Sequence, residues 1–443
     1  MHFFEDAIME LGGKRKITSA STAFDLFRRQ FLKETVRKKD VKYKNKIFQS
    51  YHGGRTETFK RGYFKNVYYY DINSLYPSVM RKEYPDPSSV QYLRNKDVQT
   101  AKGIINKYEG VSLITLHMDK NNPNKPLIPV KEIPPESKHE KLIFRKGTIK
   151  KWITHIEIRK ALEIGYKIKN VEETIFYKQT KPYFKEFVET MYKLRTKYKK
   201  ENSPYEQVVK LMMNSLYGKF GQKTVEETQI YFRDKIKTEE EEKEIYAKAK
   251  EYEPQTDILY CSEEKEYNGQ CQIPIWVSYI SAHARILMYD YINHEDVIYT
   301  DTDSVITTKK RWKSSKELGE MELENEIKEF IGVRAKFYAM KVDKWKLKIK
   351  GIPSPTQLDF FDILEGKEIC KETFLKTKEA IKRKLTPNQI IKRTKKLNLE
   401  DNKRKFEKSF NEIMKEKINE SSVAWYRWKI KNYKTCLEQK QNT

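Results

Sequence analysis

Residues 297–307, which read VIYTDTDSVIT, constrain this chain more strongly than any other stretch. β-Branched and aromatic residues lie on both sides of a short polar tip, a pattern that predicts a strand, a tight turn and a returning strand. The turn holds two carboxylates, Asp301 and Asp303, and burying two like charges side by side is costly unless a cation lies between them. Divalent-metal binding is therefore one hypothesis. Taken alone, the motif favours an ordinary turn, because turns select Asp and Thr for reasons unrelated to catalysis.

The composition indicates a folded and strongly basic protein. Of 443 residues, 38% are hydrophobic and 13% aromatic, which argues against wholesale disorder. A formal charge of +26 is best matched by a long polyanion, so nucleic acid is favoured over a membrane surface as the partner. The sequence has no apolar run long enough for a spanning helix and no secretory or transit signal in residues 1–12. The chain has four cysteines, Cys261, Cys271, Cys370 and Cys436, and no two of them form a C-x-x-C motif. This pattern indicates a reducing compartment and neither a zinc site nor a disulfide framework.

A further carboxylate follows a second strand pattern. Residues 67–70 read VYYY, which is typical of a buried strand, and Asp71 comes at its end before a turn and a short helix at 78–81. An acid in this position lies beside backbone N–H groups that can hold phosphate, so Asp71 can share cations with Asp303. Tyr76 lies in the turn, where a flat ring can lie under a bound sugar. The alternative is that Asp71 caps the helix and Tyr76 packs.

Two predicted helices carry side chains suited to a nucleotide. Residues 182–200 form a basic amphipathic pattern with Arg195 near its end, and a second helix is predicted over residues 205–216. The second helix presents a cation, an amide and a ring on one face, at i, i+4 and i+7: Lys210, Asn214 and Tyr217. A single lysine on a helix is usually solvated, so the hypothesis depends on the three residue types together and on Arg195 across the hairpin.

These motifs resemble those of a known family. Asp71-Ile-Asn-Ser-Leu-Tyr-Pro, Lys210-Leu-Met-Met-Asn-Ser-Leu-Tyr-Gly and Tyr299-Thr-Asp-Thr-Asp-Ser resemble, in this order, the three palm and fingers motifs of family B DNA polymerases. The resemblance runs from about residue 51 to residue 351. Shorter matches resemble the protein-primed branch found in phages, adenoviruses and linear plasmids: Tyr51-His-Gly-Gly, Ser281-Ala-His-Ala-Arg285, Lys336-Phe-Tyr338 and Lys348-Ile-Lys350-Gly351.

The resemblance implies an α+β fold of the right-hand polymerase type, with palm, fingers and thumb and with two insertions. The implied boundaries are an N-terminal linker or domain remnant at 1–50, palm at 51–82, a first insertion at 83–182, fingers at 183–223, a second insertion at 224–272, palm at 273–351 and thumb at 352–443. The first insertion matches the region that contacts the priming protein in that branch. In the thumb, Lys-rich stretches predict helices at 360–364, 373–385 and 402–417.

The resemblance also implies a role for each site residue. Asp71, Asp303 and the carbonyl of Ile72 would bind two Mg²⁺ ions, for which Mn²⁺ can substitute, and Asp301 would support catalysis. The nucleotide-binding residues would be Leu75, Tyr76, Arg195, Lys210, Asn214 and Tyr217, with Tyr76 excluding a 2′-hydroxyl. The DNA-binding residues would be Tyr51, Gly53, Gly54, Ser74, Ser215, Gly218, Ser281, Arg285, Thr302, Ser304, Lys336, Tyr338, Lys350 and Gly351.

The expected activity is template-directed addition of dNMPs to a primer 3′-hydroxyl on primer–template DNA. By resemblance, a hydroxyl of a separate terminal protein would replace the first 3′-hydroxyl. Family members usually carry a 3′–5′ exonuclease domain before Tyr-x-Gly-Gly, whereas fifty residues without an Asp-x-Glu precede Tyr51 here, so we expect no proofreading by this chain. A truncated chain, a split-gene product and a polymerase that lost the domain all fit that expectation.

Two other classes of function remain open. The chain could be a catalytically inactive nucleic-acid-binding relative, although the presence of all three acids argues against it. It could also be a polymerase that uses an RNA template or NTPs, because two-metal palms are shared, although Tyr76 favours dNTPs. Nothing in the sequence indicates a homo-oligomer. The expected location is the cytoplasm of a host or bacterium, or the mitochondrial matrix for a plasmid-encoded protein.

Overall fold

The computed structural model describes residues 8–9, 11–16, 18–94, 97–134, 137, 139–222, 225–232, 236, 238–251, 258–265, 271–375, 389–400 and 403–416. The fold is mixed α/β, as the sequence predicts. In the described residues no helix is both long and apolar enough to cross a bilayer.

A seven-stranded sheet forms the centre of the molecule. Its spatial order is β1-β14-β15-β2-β16-β17-β18, and neighbouring strands run antiparallel. The strands are β1 Thr56–Thr58, β2 Gly62–Ile72, β14 Val297–Asp301, β15 Ser304–Thr307, β16 Met321–Arg334, β17 Phe337–Lys341 and β18 Trp345–Ile349. The central strands are rich in tyrosine, valine and isoleucine, which suit a pleated surface that is covered on at least one face. The sheet therefore joins segments that are far apart in the sequence.

A layer of helices covers this sheet on one side. The helices are α1 Ser19–Leu26, which continues as a π-helical turn at Phe27–Phe31, α2 Lys44–Phe48, α3 Leu75–Met80, α6 Lys185–Lys200, α7 Tyr205–Phe220 and α9 Pro274–Ile292. Helix α9 is apolar on nearly every face and lies at the centre of the layer. The predicted helix pair at 182–200 and 205–216 corresponds to α6 and α7.

Residues 84–181 form a separate sheet beside the helices. Its order is β4-β9-β5-β8, and two short pairs, β3 with β10 and β6 with β7, flank it. The strands are β3 Tyr84–Pro85, β4 Val90–Arg94, β5 Glu109–Met118, β6 Pro129–Glu132, β7 Lys141–Phe144, β8 Gly147–Thr154, β9 Lys167–Tyr177 and β10 Thr180–Lys181, and the helices are α4 Val98–Lys107 and α5 His155–Glu163. Buried, mostly aliphatic residues of these strands and helices form a hydrophobic cluster that Tyr289 of α9 joins, while others, such as Trp152 and Ile175, pack into the main core.

Residues 225–265 contain a further sheet of the order β11-β13-β12. Its strands are β11 Val225–Phe232, β12 Ala249–Glu251 and β13 Ile258–Lys265, and the acidic helix α8 Glu239–Lys248 precedes β12.

The C-terminal region differs from its prediction. Helix α10 Gln357–Leu364 overlaps the helix expected at 360–364, and helix α11 begins only at Phe410 and runs to Glu416. The helix predicted over 373–385 is wrong at its start, because Thr373 lies in strand β19 Ile369–Phe374, which pairs with β20 Ile390–Lys395. The period-two alternation of these strands outweighs the helix propensity of their lysines. Residues 376–388, 401–402 and 417–443 lie outside the described residues.

Candidate active site

Asp71, near the end of β2, and Asp303, in the turn that leads into the neighbouring strand β15, lie at the same end of the central sheet. In the register of β2 with β15, Asp71 is opposite Ser304, and the backbone N–H of Ile72 donates to the Asp303 carbonyl at 2.8 Å. The turn between β14 and β15 is closed by the N–H of Asp303 donating to the carbonyl of Asp301 at 2.9 Å. Thr302 in this turn has a φ of 68°, in the left-handed region. The fold thus brings together two acids from opposite halves of the sequence.

The electrostatics of the two acids favour the binding of a cation. Burial, the nearby charge of Asp303 and then that of Glu324 raise the pKa of Asp71 to about 8, against a smaller opposing effect of Lys210. Burial also raises the pKa of Asp303, although its own backbone N–H acts in the other direction. Within the described residues, neither carboxylate has a Lys, Arg or His nitrogen within salt-bridge distance. Two crowded carboxylates without a counter-ion are a fitting pair of ligands for divalent metal.

The third acid, Asp301, has a different environment. Its carboxylate accepts from Lys336 Nζ at 2.7 and 2.8 Å and from the hydroxyl of Thr56 at 2.9 Å. Lys336 itself has a φ of 56°, and its carbonyl accepts from the N–H of Lys350 at 2.9 Å. Asp301 therefore has its own cation, and it positions Lys336 next to the turn.

The residues present fit a Mg²⁺ site in which the protein supplies some of the ligands and the substrate supplies others. Among the described residues, no three His, Cys, Asp or Glu side chains meet as a complete metal cluster. Asp71, Asp303 and the carbonyl of Ile72 are all hard oxygen donors. Magnesium is commonly held by one or two carboxylates, with water and substrate phosphates completing its shell, and it prefers such donors.

The predicted nucleotide-binding residues lie beside the acids. The rings of Tyr76 on α3 and Tyr217 on α7 stack with centroids 4.3 Å apart and an interplanar angle of 12°. Lys210 and Asn214 are exposed on α7, and the charge of Lys210 reaches Asp71. Leu75 is buried under the turn, with 2% of its surface exposed, and so supports the turn from below.

Arg195 has partners other than a phosphate in this structure. Its Nε donates to Glu206 at 2.8 Å and its Nη1 donates to the hydroxyl of Ser74 at 2.8 Å. Ser74 has a φ of 53° and lies in the turn between Asp71 and Tyr76. Arg195 therefore ties the α6–α7 hairpin to the turn that leads into Tyr76. Glu206, which the sequence did not single out, orients it.

Several predicted DNA-binding residues are buried in this structure. The hydroxyl of Ser281, 1% exposed, donates to the Val277 carbonyl within α9, and that of Ser304, 3% exposed, donates to the Asp301 carbonyl at 3.3 Å. The ring of Tyr338, 8% exposed, packs against Tyr299 with centroids 5.0 Å apart. Sequence patterns find these residues but do not reveal which way each side chain points.

Arg285, another predicted DNA-binding residue, is also buried. Only 4% of its surface is exposed, and its Nε donates to Glu157 at 2.9 Å. Its Nη1 donates to the carbonyls of His52 and, at 3.1 Å, Gly53. In this structure Glu157, on helix α5 beside the second sheet, pairs with the guanidinium, and Arg285 supports the backbone of the Tyr-x-Gly-Gly stretch.

The other predicted DNA-binding residues lie at or near the surface. Gly53, Gly218, Lys350 and Gly351 are exposed, whereas Tyr51, Gly54, Ser74, Ser215, Thr302 and Lys336 are partly exposed. A Cβ added at Gly54 would lie 2.8 Å from Thr302 Cγ2, so glycine is needed for this loop to approach the acidic turn. Gly351 has a φ of 97°.

Glu324 is a candidate site residue that sequence reasoning missed. It lies on β16, which pairs with β2, and its charge contributes to the raised pKa of both Asp71 and Asp303. The run MELENEIKEF shows alternating acids but carries no signal that Glu324 lies near Asp71 and Asp303, because that depends on the register of β16 with β2.

The fold and the site define a class of protein. The chain superimposes on Phi29 DNA polymerase complexed with primer-template DNA and incoming nucleotide substrates with a TM-score of 0.65, at 20% identity, over 88% of this chain and 69% of that one. An orthorhombic crystal form of Phi29 DNA polymerase gives a TM-score of 0.60, at 20% identity, over 81% of this chain and 65% of that one. The architecture is therefore a polymerase fold.

The sequence comparisons identify the family. The family model described as DNA polymerase type B, organellar and viral, matches residues 3–305. A probable DNA polymerase of Neurospora intermedia is 29% identical over 84% of this chain, and one of Ascobolus immersus is 30% identical over 77%. The chain spans only 39% and 29% of the lengths of these two relatives. It belongs to the organellar and viral type B DNA polymerases.

The raised pKa of Asp71 predicts a pH-dependent stability in metal-free protein. Its folded-state pKa of about 8 exceeds the ordinary value of 3.8, so the folded state binds more protons between these values. Stability from this group is thus present below pH 3.8 and is lost as the pH rises through about 8. We expect Asp71→Asn to remove part of this decline, on the order of one to a few kcal/mol. Urea unfolding in EDTA at pH 5 and at pH 9 measures how much the unfolding free energy falls between these pH values. An equal fall in the wild type and in Asp71→Asn would contradict the prediction.

Proposed function

We propose that the chain is a template-directed DNA polymerase that adds dNMPs to a primer 3′-hydroxyl. The observation that carries the proposal is that Asp71 and Asp303 lie close together without a counter-ion in the described residues. The stacked rings of Tyr76 and Tyr217 and the side chain of Lys210 lie next to them. The structural neighbour is a polymerase complexed with primer-template DNA and incoming nucleotide substrates, and the curated relatives are named DNA polymerases. A formal charge of +26 also suits a protein that binds nucleic acid.

In this proposal the subdomains follow from the architecture. The seven-stranded sheet is the palm, the α6–α7 hairpin is the fingers, and the region after residue 351 is the thumb. The sheet domain at 84–181 and the small sheet at 225–265 are the two insertions. Palm and fingers meet at Tyr76 and Tyr217, which is where an incoming nucleotide would lie.

The reaction is an in-line displacement at an α-phosphate, and the protein mainly positions and neutralises charge. Asp71, Asp303 and the Ile72 carbonyl would hold two Mg²⁺ ions, which stabilise negative charge on the attacking and leaving oxygens when bound. Lys210 supplies positive charge to the triphosphate from the exposed face of α7. Asn214 and Tyr217 bind the nucleotide, and Tyr76 lies under its sugar. Asp301 orients Lys336 through their ion pair at 2.7 Å.

Primer extension with the full chain tests the proposal. We expect dNTP incorporation that follows the template on a primed DNA oligonucleotide with Mg²⁺ or Mn²⁺ and that stops in EDTA. Parallel reactions with NTPs and with an RNA template separate the alternative polymerase classes. If the chain binds the primed duplex but extends it under none of these conditions, it is an inactive relative and the proposal fails.

Tyr76 is expected to set the sugar preference. Its ring lies flat against Tyr217, so a side chain without a ring should leave room for a 2′-hydroxyl. We expect Tyr76→Val to raise the ratio of ribonucleotide to deoxyribonucleotide incorporation by about tenfold or more, a change of about 1.4 kcal/mol in discrimination. Single-nucleotide kcat/KM values for dATP and ATP measure it. Tyr192→Val, on α6, is the matched control and should leave the ratio unchanged. An unchanged ratio in Tyr76→Val would remove the residue from this role.

We further propose that synthesis can start on a hydroxyl of a separate terminal protein that contacts the first insertion. The support is the resemblance of the Tyr51–Gly54 and Lys336–Tyr338 stretches to the protein-primed branch and the hydrophobic cluster formed mainly by the insertion. Incubation with labelled dNTP and a candidate priming protein should give a label that survives nuclease and is released by protease. A label that appears only on nucleic acid would contradict this priming mode.

A further inference from the structure

The loop formed by residues 51–55, called the linker loop below, is attached to two different parts of the molecule. It connects helix α2 to strand β1 and contains the Tyr-x-Gly-Gly sequence. On one side it contacts residues of the first insertion and α9. On the other side it contacts the Asp301–Asp303 turn. The two sets of contacts involve different atoms of the loop.

The contacts on the first side depend on a buried ion pair. Arg285 of α9 donates to the carbonyls of His52 and Gly53 and is itself held by Glu157, at 2.9 Å from Nε and 2.8 Å from Nη2. Both charged side chains are 2% exposed. Glu157 is fixed in turn by the hydroxyl of Thr154, which donates to it at 2.8 Å at the start of α5. Because a buried charge that loses its partner is strongly unfavourable, this pair cannot rearrange freely.

A second residue of the insertion strengthens this attachment. Lys151 of β8 extends its ammonium group to His52 Nε2 and to the carbonyl of Pro129. The imidazole and the backbone carbonyl of His52 are thus held by two different basic side chains, Lys151 and Arg285. Both the side chain and the main chain of the loop therefore follow the position of the insertion.

The contacts on the second side reach the catalytic turn. The N–H of Thr302 donates to the carbonyl of Arg55 at 2.7 Å, and Gly54 lies against the side chain of Thr302. One residue further along, the hydroxyl of Thr56 donates to Asp301 at 2.9 Å. Thr302 lies between the two acids and has a φ of 68°, a conformation that is unfavourable for threonine and needs support from its surroundings.

We propose that Glu157 is a positioning residue of the active site: through Arg285 and the linker loop, it holds the Asp301–Asp303 turn in place from the first insertion. The structural part of this inference stands independently of the reaction, and its effect on turnover rests on the proposed polymerase function. A ligand that moves the first insertion would, by the same contacts, change the geometry of the acids. The position of the first insertion is then coupled to the geometry of the active site, in addition to any role of the insertion in binding a partner.

Hydrogen exchange tests the structural part. In Glu157→Gln, the amides of residues 297–307, and that of Thr302 in particular, should exchange about tenfold faster, as expected for weakening one ordinary hydrogen bond. The matched control is Glu109→Gln. Glu109 also joins the insertion to its surroundings, since it accepts from Arg159 at 2.7 and 2.8 Å and from the hydroxyl of Tyr279 of α9 at 3.0 Å, but no contact of it within the described residues reaches the linker loop. It should leave exchange in 297–307 unchanged.

Two further variants separate the proposal from a loss of folding. The double variant Glu157→Gln with Arg285→Met leaves no orphaned charge, yet it still removes the donor to His52 and Gly53, so fast exchange in 297–307 should persist. Gly54→Ala disturbs the loop from the opposite side, where the added Cβ would lie 2.8 Å from Thr302 Cγ2, and should also speed exchange in 297–307. Unchanged exchange in both variants, with melting temperatures showing folded protein, would overturn the proposal.

Kinetics test the functional part. Glu157→Gln should lower kcat of primer extension by at least about tenfold, because small misplacements of catalytic groups are costly, while KM for dNTP stays within about twofold. Glu109→Gln should retain the wild-type kcat. A raised KM with unchanged kcat would show that Glu157 serves substrate binding alone and would overturn the positioning role. If wild-type protein has no polymerase activity, the proposed function fails, while hydrogen exchange still decides the link between the insertion and the turn.

Discussion

Replacement of Asp303 by asparagine is expected to lower kcat of primer extension by about 10³-fold or more, with little change in KM for dNTP. Asparagine keeps the shape of the side chain but removes one of two crowded charges that have no counter-ion among the described residues. A metal that stabilises transition-state charge by several kcal/mol would be lost, and about 4 kcal/mol corresponds to about 10³ in rate. Single-turnover extension of a primed duplex measures the effect.

A second acid provides the matched control for this experiment. Glu326 lies on β16 of the same sheet, is exposed, and pairs with Lys310 at 2.8 Å. Glu326→Gln should leave kcat within about twofold, because exposed ion pairs contribute little. Since Asp303→Asn also relieves repulsion from Asp71, its melting temperature without metal should equal or exceed that of the wild type. Retention of more than about a tenth of wild-type kcat would exclude Asp303 as a metal ligand.

Replacement of Trp276 by alanine is expected to lower the unfolding free energy by about 3–5 kcal/mol. Trp276 on α9 is 0% exposed, and its indole N–H donates to the carbonyl of Pro85 at 2.9 Å. Its ring contacts those of Tyr183, Phe184 and Phe220, with centroids 4.4, 5.0 and 5.3 Å away. The cavity would open where α9 meets the helix pair α6 and α7. Urea denaturation followed by circular dichroism measures the loss.

Phe374→Ala is the control for this second prediction. Phe374 is a large apolar residue on β19 but is 70% exposed, so its truncation should change the unfolding free energy by about 0.5 kcal/mol or less. Equal losses in the two variants would show that burial of the Trp276 ring does not stabilise the helical layer.

Much of the candidate site could be predicted from local patterns. The strand that ends at Asp71, the turn at Asp301 and Asp303, and the stripe of Lys210 and Tyr217 all lie on the elements that their spacing indicated. Each depends on a short period, two in strands and 3.6 in helices, which local sequence expresses directly. The local pattern correctly placed Asp71 and Asp301 at the ends of buried, apolar strands.

Other features could not be predicted from local patterns. Arg285 and Ser281 have residue types suited to DNA, but both point into the helical layer, where Glu157 and a helix carbonyl satisfy them. The helix predicted over 373–385 begins in a strand, because pairing with β20 outweighs helix propensity. The ion pair of Arg285 and the pairing of β19 with β20 depend on partners distant in the sequence, which no local pattern specifies.

The sequence by itself determined the class of fold, the family and the chemical identity of the acids, because strand and helix periods and three long motifs are local properties. Only the tertiary structure decided which of the described acids are left without a counter-ion. Asp301 acquires Lys336 and Thr56 as partners, whereas the charges of Asp303 and Glu324 act on Asp71 and that of Glu324 also acts on Asp303. Desolvation and long-range charge depend on which segments meet, and strand register sets that meeting.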